Sequence, residues 1–295
     1  MNLTQAIEAF GTYQKAMNRS PLTIQAYRSD LVKLAAHCGL IEVETLTAGM
    51  VHEWLASSGV QNDARGVKHS DATINRAKAA ARAFGSWAAD TGLIERNPAV
   101  RVEARRSARK SPSALTDQER KQLVRAVGNQ KGWVAERDAV ILDLFLGTGI
   151  RLAELVGLDV GDVDLDGKRI TVRAKGGHKE DRFLASDLRT TLRKWMRVRA
   201  RMEERDCKAL FLTSKGDRLG ARGLEDRFDL WLRWAGIERA DLTVHSLRHT
   251  FGSRLYEKTH DLLLVGKAMG HRTLEATKVY VHQDEAAMEE AMETL

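Results

Sequence analysis

With 295 residues, 43% of them hydrophobic, the chain has apolar material for two ordinary domains, which excludes a disordered or fibrous protein. Cys38 and Cys207 are the only cysteines, too few for a disulfide framework or a cysteine-built zinc site, so a reducing, cytoplasmic setting is expected. The net charge of +7 is uneven: residues 96–110 carry +5, residues 281–295 carry −5, and residues 1–280 together +12, which fits a polyanionic partner or an ordinary solvated surface.

The first fifteen residues lack a basic-then-apolar signal pattern, and the best apolar run, AVILDLFLG, is far too short to span a bilayer, so no membrane partner is expected. Residues 1–95 show apolar positions three and four apart in four successive segments, with Ser20 and Pro21 as cap and first-turn residues, and predict a small helical bundle. Pro98 breaks that pattern. The basic run after it reads as too polar to pack, which makes 96–112 an interdomain linker.

A second domain, 113–283, opens at Thr116 and Glu119 with capping-box spacing. RDAVILDLFLGTGIRLAELVGL predicts two apolar helices broken at Gly147 and Gly149, with Arg151 starting the second. DVDLDGKRITVRAKGGHKEDRFLA alternates between turn signals and predicts short strands, with Lys175 at a hairpin tip. From Asp187 onward the pattern is mainly helical, apart from a short LFLT, and 284–295 reads as a separate C-terminal helix.

Within the second domain, HSLRHTF sets His245, Arg248 and His249 on one helix face. That face could hold an anion, a metal or only solvent. The metal reading is weakened because no Glu follows the first histidine as in HExxH. Four further residues in the same domain carry functional groups: Arg151 with Glu154 one turn later, His271 after Gly270, and Tyr280 nine residues beyond it.

In order and context these boxes resemble the tyrosine recombinase family of phage integrases and Xer-type recombinases: TGIRLAEL, AKGG, HSLRHTF, MGH and TKVYVH in the second domain, and SPLTIQAYRSDL with INRAKAAARAFGSWAADTGLIERNP in the first. The resemblance covers nearly the whole chain. It implies a mainly α fold with a small β-sheet, made of an N-terminal helical core-binding (SAM-like) domain and a mixed α/β catalytic domain. It also implies a site-specific recombinase acting on double-stranded DNA without metal, ATP or other cofactor.

By that resemblance Arg151 and Arg248 would hold the scissile phosphate with His271 as a further donor, and Tyr280 would attack phosphorus to leave a 3′-phosphotyrosyl bond. His245 would take the phenol proton, and Lys175 would protonate the leaving 5′ oxygen. Glu154 would orient its neighbours, and His249 would support or pack. The hairpin departs from the usual family turn, being longer and lacking its following proline, so Lys179 competes with Lys175. Arg105, Arg106 and Arg109 of the linker are expected to bind DNA phosphates. Four copies would pair two sites through a Holliday junction, with accessory proteins possible and the C-terminal helix docked in a neighbouring protomer. The core-binding pattern begins at residue 3, so a compact Xer-like resolvase or simple integrase without an arm-binding module is expected. A type IB topoisomerase and a non-catalytic DNA-binding protein on the same scaffold are the alternatives.

Overall fold

The computed structural model describes residues 1–105, 113–174, 178–202, 207–271, 273, 277–280 and 292. The chain divides into two units, Met1–Arg109 and Lys110–Leu295.

Among its described residues the first unit has five α-helices: α1 (Leu3–Ala16), α2 (Pro21–Cys38), α3 (Ala48–Ala56), α4 (Ser58–Gln61) and α5 (Asp71–Asp90). Local chemistry sets their starts. Asn2 and Gln5 cap α1 reciprocally, while the Ser20 and Ser70 side chains accept from the Thr23 and Thr73 amides at the starts of α2 and α5. Leu3, Ile7, Phe10, Leu31, Leu34, Trp54 and Phe84 fill the core between them. Asp30, buried on α2, is held by two hydrogen bonds from Arg76 of α5, at 2.8 and 3.0 Å, so the buried charge is paired.

This unit extends further than the sequence pattern indicates. Ile94, Ala99 and Val102 join its core, and the Asn97 side chain bonds the Arg82 carbonyl and the Ser86 hydroxyl. Residues 96–105, expected as linker, therefore pack against α5. Two small apolar residues three apart suffice there because Arg82 and Lys78 bond the carbonyls of Val102 and Glu103.

The second unit contains α6 (Asp117–Gly128), α7 (Trp133–Thr148), α8 (Leu152–Val156), strands β1 (Val163–Asp164), β2 (Arg169–Arg173) and β3 (Lys179–Phe183), then α9 (Ser186–Ala200), α10 (Ala221–Ala235), α11 (Val244–Thr259) and α12 (Leu262–Met269). The strands form an antiparallel sheet in the order β1-β2-β3. Thr116 and Glu119 make the capping box of α6. The buried helix α7 runs through Gly147 rather than breaking there, and a Cβ at that position would sit 3.2 Å from Leu188, so the small residue permits close packing on α9. Trp195, Phe211, Phe228, Trp231, Phe145 and Leu247 form the centre of the core. Within it Asp138, fully buried, accepts from Arg137, Arg227 and Trp231 Nε1, so its charge is compensated on every side. Among the described residues no helix is long and apolar enough to cross a membrane.

Candidate active site

Arg151 sits at the N-cap of α8, where its backbone amide donates to Glu154 Oε2 at 3.0 Å and its Nη1 to Glu154 Oε1 at 2.6 Å. Its Nη2 reaches the carbonyl of Gly270, just past the end of α12, at 2.7 Å. One carboxylate and one carbonyl thus fix the guanidinium plane while a third of the side chain stays in contact with solvent.

Arg248 lies on α11, buried to 2% exposure. It donates to the carbonyls of Gly149 and Met269, so it reads the ends of α7 and α12 at once. Burial, then the charge of Arg151, pushes its pKa down to about 10, which still leaves it protonated at neutral pH. Two cations are thereby held beside one another, with no carboxylate hydrogen-bonded to Arg248 among the described residues, an arrangement suited to a doubly coordinated anion.

Tyr280 ends a short 3-10 turn, Lys278–Tyr280, and is 3% exposed against Val265 and Met269. Its ring lies directly on α11 at Gly252, where a Cβ would come within 2.5 Å of Tyr280 Cζ and 2.8 Å of Met269 Sδ. Burial raises the phenol to about 12, with Arg248 pulling weakly the other way. His249 Nδ1 is 3.2 Å from the phenol oxygen. The sequence reading puts His245 at the phenol and gives His249 a supporting or packing place, whereas here His249 makes the contact and His245 stands edge-on behind it, ring centres 4.6 Å apart. The reason is position along the axis: both histidines share a face of α11 with Gly252, but His249 is three residues from that glycine and His245 seven, a turn further from the Tyr280 ring.

His271 stacks parallel to Tyr280 at 6.4 Å, and its Nδ1 is 2.9 Å from the Thr277 hydroxyl, which is wholly buried. Burial and the nearby arginines lower His271 to about 4, and burial with His245 lowers His249 to about 4 as well. His245 is shifted the same way by desolvation, then Arg248 and Arg151. The three rings are neutral at pH 7, so each has a lone pair available as an acceptor. The described residues hold no group of three histidine, cysteine or acidic side chains placed for a metal ion.

Arg151, Glu154, Arg248, His245, His249, His271 and Tyr280 thus converge. Lys175, Arg106, Arg109 and most of 284–295 lie outside the described residues; Lys179 is exposed at the start of β3, opposite Arg173. Arg105 belongs to the first unit, its backbone tied to the Asn75 side chain and its guanidinium to Gln61 and Asp71.

Two participants escape the sequence reading. Thr277 was legible only as part of the box around Tyr280. Arg182 of β3 is 5% exposed, while its neighbour Phe183 is 83% exposed, the reverse of what hydropathy alone predicts. The register could have flagged it, because Arg182 pairs with Ile170 on the sheet's buried face.

The chain matches the phage integrase family over residues 113–287 and the phage integrase N-terminal SAM-like domain over residues 7–92. Tyrosine recombinase XerC of Corynebacterium glutamicum is 31% identical over 275 residues, covering 93% of this chain and 86% of that protein. XerC of Azotobacter vinelandii is 33% identical, covering 89% and 85%. Among solved structures, XerH recombinase bound to a palindromic difH substrate, a post-cleavage complex, superposes with a TM-score of 0.76 at 24% identity over 95% of this chain and 81% of that one. A lambda integrase tetramer bound to a Holliday junction gives 0.71 at 18% identity, covering 92% and 78%.

Proposed function

The chain belongs to the phage integrase family of tyrosine site-specific recombinases, and from that premise we propose that it cuts and rejoins duplex DNA through a covalent bond between Tyr280 and a 3′ phosphate. The observation that carries the reading is the pair of guanidinium groups, Arg151 and Arg248, fixed by backbone carbonyls around the one buried phenol.

In the proposed step the Tyr280 oxygen attacks phosphorus, the new P–O bond to tyrosine forms, and the bond to the 5′ oxygen breaks. Charge building on the non-bridging oxygens meets Arg151 and Arg248, with His271 as a neutral donor. Such preorganised donors are each worth about 10²–10³ in rate. The phenol proton passes to the neutral pair His249 and His245, and Lys175 returns a proton to the departing 5′ oxygen. A 5′ hydroxyl from a partner strand reverses the step, so bond energy is conserved and no nucleotide is consumed. Since Arg248 and Tyr280 are both covered in this form, Tyr280 has to leave its cleft before the phosphate can meet Arg248.

DNA binding by the first unit falls on Lys78, Arg82 and Arg105, which cluster where residues 102–105 cross α5. A tetramer acting through a Holliday junction is supported by the likeness to the lambda integrase assembly. The acidic segment 284–295 would dock in a neighbouring copy; ending the chain at Gln283 should then leave single-site binding near normal but impair cooperative assembly and two-site recombination, and intact tetramers with full recombination would refute the docking. The chemistry is tested by mixing the chain with an end-labelled pool of randomised duplexes in EDTA, without ATP. An adduct surviving denaturant is expected; its absence under all salt conditions would overturn the proposal.

A further inference from the structure

Beside Arg151 and Arg248 lies a buried arginine that none of these steps uses. Arg182 donates through Nη2 to Glu180 Oε2 at 2.8 Å and stands 3.8 Å from Glu154 Oε2. That same Glu154 oxygen accepts the Arg151 amide, and its other oxygen accepts the Arg151 guanidinium. A Cβ on Gly270 would fall 2.6 Å from Arg182 Nη2 and 2.5 Å from Glu180 Oε2, so the backbone whose carbonyl grips Arg151 rests directly on the Arg182 and Glu180 side chains. Gly270 also has φ +62, which only a residue without a Cβ adopts freely at such close approach.

Arg182 Nε has no partner among the described residues. A buried arginine with an idle donor is a poor device for stability, because an apolar side chain of similar volume commonly serves the fold as well. Among the described residues its ion pairs are with Glu180, on which the Gly270 backbone rests, and with Glu154, which holds Arg151; its charge also acts on Arg248.

We infer that Arg182 is a positioning residue for phosphate activation: it fixes Glu154 and the Gly270 carbonyl, and through them the Arg151 guanidinium. The inference rests on the recombinase reading and adds a residue to it. Arg182 touches neither the phosphate nor the leaving oxygen, so its loss should resemble a misplaced Arg151. A shift of about 1 Å in such a group can cost about 10² in rate.

The test uses the full chain and the duplex recovered from the randomised pool by its own covalent capture, in single-turnover cleavage. Arg182→Met should bind this duplex within about twofold of wild type yet cleave about 10²-fold more slowly. Arg182→Lys, which keeps charge but loses the planar fork, should recover part of the rate. In an Arg151→Lys background, Arg182→Met should change the rate less than about threefold, because the two act as one unit. A substrate with sulfur at the bridging 5′ position should not rescue Arg182→Met. Independent, multiplying effects or rescue by sulfur would overturn the inference, as would an unchanged rate. Should Arg182→Met melt below the assay temperature, Glu180→Gln carries the same test, with about tenfold slower cleavage expected and the same dependence on Arg151. If wild type itself forms no adduct, the recombinase reading fails; if wild type does and the variants match it, only this inference fails.

Discussion

Arg248 and Tyr280 are buried almost equally, at 2% and 3% exposure, yet burial does opposite things to their readiness. The arginine remains charged, with a pKa of about 10, and backbone carbonyls from two other elements hold its fork in place. The phenol is driven to about 12, away from the form that attacks. In the proposed reaction, the half that would receive the phosphate is therefore set before DNA arrives, whereas the half that would attack is held back. On the proposed chemistry, releasing Tyr280 would govern the rate, and the arginine half would supply the stabilisation once it is released.

Breaking the arginine half should have the largest effect. Arg248→Ala is expected to lower single-turnover cleavage by about 10²–10³ with little change in DNA affinity, read from adduct formation and from binding on the same duplex. An equal loss in binding would mean that Arg248 holds the ground state, not the transition state.

Gly252→Ala tests the other half. The added methyl would meet the Tyr280 ring at 2.5 Å, and overpacking of this kind destabilises by about 1–3 kcal/mol. If the cleft is what restrains Tyr280, the variant should melt lower and still form adduct at an isolated site faster than wild type. A lower melting point with slower cleavage would show that the cleft aligns the nucleophile instead of restraining it.

These two halves were unequally legible in the sequence. The cap residues Ser20 and Thr116, the helical face of His245, Arg248 and His249, and the position of Arg151 at a helix start all follow from short-range rules, and the fold bears each of them out. What stayed hidden depends on partners distant in sequence. Gly252 looks unremarkable until Tyr280, twenty-eight residues later, lies on it. Residues 96–105 look too basic to pack, because nothing local announces that α5 provides Arg82 and Lys78 to bond their carbonyls. Arg182 faces inward against its hydropathy because the buried face of β3 meets Glu154 and Gly270 rather than apolar side chains.

Acid should sharpen the comparison through the histidines. His249 and His271 stand near 4 in the folded chain against an ordinary value of about 6.5, so between these values the unfolded chain binds more protons. Their contribution to stability is complete above about pH 6.5 and is lost as the pH falls toward 4. The melting temperature should drop by roughly 3–6 °C from pH 7 to pH 5, and His249→Phe should reduce the drop. An equal drop in the variant would place the acid-sensitive group elsewhere.

The smallest expected effect lies outside both halves. Each phosphate contact contributes about −0.9 to the slope of log affinity against log salt. Replacing Arg105, Arg106 and Arg109 together by Gln should flatten the slope by roughly two to three units if all three contact DNA. Arg105 alone should give less than one unit, because Asp71 and Gln61 already engage its guanidinium. An unchanged slope would assign these charges to solvent.

The most direct measurement of the central claim is the chemical location of the adduct. After nuclease and protease digestion, mass spectrometry of the covalent complex should find a nucleotide 3′-phosphate on the Tyr280 oxygen, and Tyr280→Phe should bind the same duplex without forming any adduct. A modified Tyr256 or any other residue, or an adduct persisting in Tyr280→Phe, would contradict it.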